Sequence, residues 1–348
     1  MKKLLPPPPA KILVCPLDWG LGHATRMVPL ITDLQTDGYE VVLAADNAPL
    51  TLLKKEFPNL KFIKFPSYNI LYSKKIPFLL KMFLQSPKII FGIYKEHKQL
   101  EEIISKQKID IVISDNRFGL WSRKAYCVYV THQIFIKLPK IFRFAEFFAS
   151  WLHGCFINRY EQCWIPDNSV QNSLSGELSH KGKLPRNALF IGTLSRFRKV
   201  NYEIKKERDL IVVLSGPEPQ RTVFERIVLN QLKYLNLKTL LVRGKPDEKW
   251  EQPKIKKLTV VNHLPSKELA EEIEKSENII CRSGYTSIMD LFHLQRTAIL
   301  VPTPQQTEQE YLAKYLKEKR WFYSVSQKKF SVETALQEIK NYEVNFGS

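Results

Sequence analysis

Short apolar, β-branched runs alternate along the chain with longer stretches whose apolar residues recur at helical spacing. The runs at 11–15, 39–44, 60–65, 110–114, 125–130, 163–166 and 188–192 read as strands of a first unit. Helical patterns fall between them: one runs through Asp37 and stops at Gly38, and others cover 76–106 and 140–161. A charged stretch without period, 195–209, reads as a linker. The alternation then restarts, with strands expected at 210–215, 238–243, 257–262, 278–281 and 297–301. Helices are expected near 220–234, 266–275, 285–294 and 307–320, and a last one at 331–342. Strand–helix–strand repetition builds a parallel sheet covered on both faces. The prediction is an α/β protein of two doubly wound Rossmann-like domains facing a central cleft. They comprise an acceptor-side domain over 1–194 and a donor-binding domain over 210–330. A ligand belongs between them, at the carboxyl ends of the strands. The helix in 331–348 is expected to pack back on the N-terminal domain.

Composition narrows the class. The chain has 348 residues, of which 44% are hydrophobic and 25% charged, close to globular averages. Its apolar runs are far shorter than the roughly 20 residues of a membrane span, and the start, with Pro6 to Pro9, lacks the apolar stretch of a signal peptide. The expected location is the cytosol. Five scattered cysteines without a Cys-x-x-Cys pair fit neither a disulfide framework nor a zinc site, and most read as buried thiols. Net charge is +18, so the partner is expected to be anionic. Segments 73–95 and 134–151 mix basic residues with Phe, Trp and Ile. Such segments either lie on an anionic membrane or bury their apolar side chains.

Four strand-to-helix loops carry candidate chemistry. The first, 18–26, holds Gly20 and Gly22, which admit a ligand to the backbone, and His23 at a helix start, where it stays neutral and serves as a base. A dinucleotide site, a plain turn and a capping histidine are the competing readings, the dinucleotide fingerprint lacking its third glycine. The second loop, 281–290, places Arg282, Ser283 and Gly284 at a helix N-terminus suited to anions, with Asp290 further along to accept a ribose hydroxyl or merely to face solvent. The third, 301–310, carries Glu308 and Gln309, side chains that bind sugar hydroxyls, with Thr307 and Glu310 as a capping box. The fourth, 214–221, offers Gly216 for close approach of a diphosphate and Arg221 for its charge.

Gly-x-Gly-His in the first half, then Arg-Ser-Gly-x-x-Ser-x-x-Asp and Pro-x-Pro-x-x-x-Glu-Gln in the second, resemble the family 28 glycosyltransferases of the GT-B fold. That family includes a peptidoglycan-precursor N-acetylglucosamine transferase and diacylglycerol galactosyltransferases. The resemblance implies transfer of a hexosyl group from a UDP-sugar to a lipid-linked acceptor hydroxyl, with inversion and without a metal or other cofactor. It places phosphates at Ser283 and Gly284, ribose at Asp290 and donor sugar at Glu308 and Gln309. It sets the base at His263 and Leu264, and acceptor contacts at His23, His132 and Gln133. His23 would be the catalytic base, with Asp18 or Asp115 as orienting group or substitute and Asn116 beside it. Arg282 or Arg221 would stabilise the leaving diphosphate. An anionic membrane surface, and no nucleic acid, would be the macromolecular partner. The sequence departs from the peptidoglycan enzyme at 215–220 and 113–119. A UDP-sugar epimerase of the same fold and a basic nucleic-acid-binding protein are the alternatives.

Overall fold

The computed structural model describes residues 4–18, 20–67, 78–168, 170–198, 204–245, 252–344 and 346. In the N-terminal half, strands β1 (Lys11–Pro16), β2 (Glu40–Ala45), β3 (Lys61–Lys64), β4 (Ile111–Asp115), β5 (Tyr126–Val130), β6 (Gln162–Ile165) and β7 (Ala188–Phe190) form one sheet, in the order β3-β2-β1-β4-β5-β6-β7. In the C-terminal half, β8 (Arg208–Val213), β9 (Thr239–Val242), β10 (Leu258–Val261), β11 (Ser276–Cys281), β12 (Ile299–Leu300) and β13 (Tyr323–Ser324) form a second, in the order β10-β9-β8-β11-β12-β13. Among the described residues, the strands of both sheets pair in parallel. Strands buried on both faces explain the near-continuous apolar runs.

The helices covering the first sheet are α1 (Leu21–Thr36), α2 (Asn47–Glu56), α3 (Phe78–Gln107), α4 (Glu146–Ile157) and α5 (Glu177–His180). Those of the second are α6 (Gln220–Leu232), α7 (Ser266–Glu274), α8 (Tyr285–His293), α9 (Thr307–Glu318) and α10 (Val332–Lys340). α1 forms because Ala24, Met27, Leu30, Ile31 and Leu34 make a stripe that is buried against the sheet.

The strand order reverses between β1 and β4 in the first sheet and between β8 and β11 in the second. At each reversal the two loops emerge side by side, because Pro16 is in register with Asp115 and Val213 with Cys281. These are the switch points where ligands of doubly wound sheets bind.

Two expectations change. α10 packs on α6 and shares a core with Phe224, Val228 and Phe330, so it covers the C-terminal half and not the N-terminal one. Gln231 on α6 ties it down by bonding Phe330 O and Val332 N. The helix pattern over 140–161 splits into a 3-10 turn (Lys140–Ala145) and α4. Most of the cysteines are buried, as expected: Cys155 is exposed and the other four are not. Part of the expected linker, 199–203, lies outside the described residues, as do 73–77 of the first basic-aromatic segment.

Candidate active site

The loops at the carboxyl ends of β1, β4 and β5 bring their polar residues into one cluster. Gly20, the residue before α1, has φ +151°, in the region that favours glycine, and a Cβ there would meet nothing within 4 Å. This turn puts His23 and Arg26 one helical turn apart on the same face. Asp115 closes β4 and is fully buried. His23 Nδ1 lies 3.1 Å from Asp115 Oδ2. Arg26 Nε donates to the same oxygen at 2.9 Å, and its Nη2 donates to Oδ1. Burial opposes ionisation of Asp115, but Arg26 and His23 outweigh it and hold the carboxyl below its ordinary range.

Arg26 also reaches both histidines: Nη2 is 2.9 Å from His23 Nδ1, and Nη1 is 3.1 Å from His132 Nδ1. His132, after β5, is buried and stacks on Tyr285 of α8 with ring centroids 4.0 Å apart. Its Nε2 meets Glu308 Oε1, in the first turn of α9, at 2.8 Å. The histidine therefore bridges the two halves. Burial lowers its pKa, more than Glu308 raises it, and keeps the ring neutral. At Glu308 burial works against the charge, yet the bond to His132 and the Arg26 charge beyond it hold the carboxyl low. Further contacts span the cleft. Thr286 Oγ1 donates to Gly22 O at 3.0 Å and Tyr285 OH to Pro166 O at 2.8 Å, while Tyr311 OH accepts from Glu177 N at 2.6 Å.

The C-terminal loops behave differently. Arg282 is fully buried, donates to the carbonyls of Val301, Pro302 and Gln220, and lies over the Phe224 ring at 4.2 Å. Burial lowers its pKa to about 10, which leaves it charged at neutral pH. Arg221, 3% exposed, donates to Glu218, Glu225 and the Arg243 carbonyl. Both guanidiniums knit loops together instead of facing the cleft, which corrects their assignment to the leaving diphosphate. Asp290 is buried, with its oxygens accepting from Ser195 Oγ, Arg196 N and Arg196 Nε at 2.9, 3.2 and 3.1 Å. It anchors the segment entering the C-terminal half, where the sequence predicts a ribose ligand. Ser283 Oγ donates to Gln309 O, and Gln309 Oε1 accepts from Thr303 N. These side chains brace the loops that surround a ligand. Asp18 is bound by Ser67, and among the described residues the carboxylate that meets the His23 ring is that of Asp115. Thr307 is the first residue of α9 and not its cap, while Glu310 Oε1 accepts from Gln305 N.

What remains open on this side is backbone. Gly284 caps α8 without any side-chain bond to the helix end, and a Cβ on it would meet nothing within 4 Å. An open helix N-terminus attracts anions. Gly216, with φ +100°, turns the loop after β8, and His263 and Leu264 follow the end of β10. Asn116, in the left-handed region, receives a bond from Tyr129 OH, and Gln133 N donates to Thr131 Oγ1. Among the described residues, no group of three His, Cys, Asp or Glu side chains could hold a metal.

Residues 210–345 match the family described as "Glycosyltransferase family 28 C-terminal domain". The C-terminal half is a family 28 glycosyltransferase domain. Over 340 residues the chain is 24% identical to the UDP-N-acetylglucosamine–N-acetylmuramyl-(pentapeptide) pyrophosphoryl-undecaprenol N-acetylglucosamine transferase of Clostridium perfringens, with 93% of this chain and 88% of that protein covered. Its fold is GT-B. The glycosyltransferase of kitacinnamycin superposes with a TM-score of 0.67 at 13% identity, over 96% of this chain and 91% of that one. MurG of Acinetobacter baumannii gives 0.55 at 13%, over 97% and 91%. The spinosyn rhamnosyltransferase SpnG, complexed with thymidine diphosphate, gives 0.62 at 12%, over 95% and 91%.

The resemblance named His23, Asp115, His132 and Glu308, and the fold gathers them. Arg26, at their centre, was missed. Its signal was its place three residues after His23, which on a helix means the same face.

Proposed function

We propose that this glycosyltransferase moves a hexosyl group, N-acetylglucosamine or galactose, from a UDP-sugar to an acceptor hydroxyl in a single inverting displacement. The observation that carries the reading is His23, paired through Nδ1 with buried Asp115, in the same cleft as the open N-terminus of α8. When His23 Nδ1 holds its proton toward Asp115, Nε2 carries a lone pair that takes the proton of the acceptor hydroxyl as it attacks the anomeric carbon. The bond to the diphosphate breaks as the new bond forms. The negative charge that develops on the leaving oxygen is met by the N–H groups at the start of α8, near Ser283 and Gly284. No step needs a metal. The sequence similarity to a transferase that uses UDP-N-acetylglucosamine, and a neighbour that binds a nucleoside diphosphate, support the donor class.

A lipid-linked acceptor and a peripheral place on an anionic membrane belong to the same reading. Ile141, Phe144 and Phe147 are each more than 80% exposed, and Phe148, Trp151, Ile90 and Phe91 are exposed too. α3 and α4 both pack on the 118–121 loop, through His97 on Trp121 and Phe156 on Phe118. Exposed Lys88, Lys95 and Arg143 stand among these apolar residues. Such a face suits the interface of anionic lipid. No helix among the described residues is long and apolar enough to cross a membrane.

The test is a melting-temperature panel with UDP, UDP-N-acetylglucosamine, UDP-galactose, GDP-mannose and NAD. A ligand at about 100 times its Kd stabilises by about 2.7 kcal/mol, a shift of several degrees. UDP and one UDP-sugar should shift the protein, and incubation with that sugar and lipid acceptors should give a glycosylated lipid. A shift with NAD alone, or an epimerised UDP-sugar formed without acceptor, overturns the proposal. Sedimentation with anionic vesicles at low and high salt tests the membrane face. It should bind at low salt and be weakened by Phe144→Ser with Phe147→Ser; absence of binding at low salt removes it.

A further inference from the structure

The cluster at the cleft contains one buried cation, and two histidines point the same ring nitrogen at it. Arg26 is 2% exposed. Its guanidinium has donors only and cannot lose its proton in this setting. A nitrogen that receives a bond from it must therefore hold a lone pair. At His132 the receiving atom is Nδ1, 3.1 Å from Arg26 Nη1. The ring is neutral, so its one proton sits on Nε2, the atom 2.8 Å from the Glu308 carboxylate. At His23 the same ring atom, Nδ1, lies 2.9 Å from Arg26 Nη2 and 3.1 Å from Asp115 Oδ2. If Nδ1 is bare it accepts from Arg26 and Nε2 carries the proton; if Nδ1 is protonated it donates to Asp115 and Nε2 is free to act as base.

We infer that Arg26 is a positioning residue for transfer: held on Asp115, it fixes His132 in the Nε2–H tautomer that bridges the two halves to Glu308. This inference rests on the glycosyltransferase reading for its kinetic consequence, but not for its spectroscopic one. A lysine cannot replace the guanidinium, because one ammonium cannot hold both Asp115 oxygens and also donate to the His132 ring in another direction. At His132, a glutamine keeps a donor near the Nε2 position, whereas an asparagine keeps only an acceptor near the Nδ1 position.

The experiment uses the full chain labelled with ¹⁵N-histidine. Long-range proton–nitrogen spectra report which ring nitrogen holds the proton, and the His132 signals are assigned through His132→Gln. In the unliganded protein at neutral pH, His132 should show a bare Nδ1 and a protonated Nε2. Arg26→Lys should mix or invert that tautomer and reduce kcat by at least about tenfold, with KM for the donor changing much less. His132→Gln should keep more activity than His132→Asn. A protonated Nδ1 at His132 in the parent protein, or a tautomer and kcat both unchanged in Arg26→Lys, overturns the inference. If Arg26→Lys fails to fold, the parent spectrum and the glutamine–asparagine order still decide it. If the parent transfers no sugar to any acceptor, the functional reading fails, and the spectra alone decide the assignment of Arg26.

Discussion

On the N-terminal side of the cleft, His23, Arg26, Asp115 and His132 leave the ends of three strands and meet one another, with the imidazole of His23 still part-exposed. On the C-terminal side, Arg221, Arg282, Asp290 and Gln309 leave equivalent strand ends and turn inward, onto carbonyls, carboxylates and backbone N–H groups. The two halves share one topology but divide the work. The first supplies titratable side chains that can move a proton. The second spends its side chains on bracing its own loops. Arg282 and Arg221 turn most of their donors onto carbonyls and carboxylates within that half.

If this division is right, the largest effect falls on the N-terminal side. His23→Ala should reduce transfer about 10²- to 10⁴-fold, the range of a positioned base, while its melting temperature stays near that of the parent. A radiolabelled sugar transfer assay beside thermal unfolding reads both quantities. Near-normal transfer in a folded His23→Ala protein would take the base away from this half. The mirror experiment is Arg282→Met. Losing donors to three buried carbonyls should cost roughly 3 kcal/mol of stability, seen in denaturant unfolding. An unchanged stability with a weakened affinity for UDP would mean that Arg282 faces the diphosphate after all.

The strands were legible in the sequence because a parallel sheet buried on both faces leaves continuous apolar runs, and twelve of the thirteen strands among the described residues lie where such runs fall. Tyr323–Ser324, the thirteenth, is only two residues long and pairs at the sheet edge, too short to make a pattern. The short α2 went unread as well: its apolar stripe is limited to Pro49, Leu52 and Leu53. In the site, His23, Asp115, His132 and Glu308 could be found because they follow strands or open helices, where side chains meet a cleft. The inward turn of Arg221, Arg282 and Asp290 could not be read, since it depends on partners 22, 19 and 95 residues away in the chain. The aromatic residues of 134–151 could be read as a membrane face or as core, and only packing decides: among the described residues nothing covers the outer face of α4.

Asp290 sharpens the comparison at a smaller scale. As an anchor for Ser195 and Arg196, it should lower stability by about 1–2 kcal/mol when changed to Ala, since the buried donors of Ser195 and Arg196 lose their acceptor, while the Kd for UDP moves less than about threefold. A ribose ligand predicts the reverse: stability held and UDP affinity lost. Burial raises the Asp290 pKa, and Arg196 only partly offsets this. A carboxyl raised in the folded state favours folding below its unfolded pKa and loses that advantage as pH rises through the folded value. Asp290→Asn should therefore flatten that part of the pH–stability curve.

Glu218 offers the smallest and most local test. It sits in the loop after β8, where Arg221 Nε donates to it at 2.8 Å, Thr222 Oγ1 at 2.8 Å and Lys245 approaches to 3.2 Å. Burial opposes its charge, but these bonds outweigh burial and hold the pKa down to about 2, against an ordinary 4.5. The sign follows: a carboxyl lowered in the folded state stabilises the protein above pH 4.5, and that stabilisation drains away as pH falls from 4.5 toward 2. Because the side chain is 47% exposed, solvent screens the bonds and the effect stays within about 1 kcal/mol. Glu218→Gln should lower stability slightly at neutral pH and merge with the parent near pH 2. If the two proteins already coincide at neutral pH, the loop is held without Glu218, and Arg221 keeps its inward pose through Glu225 and the Arg243 carbonyl alone.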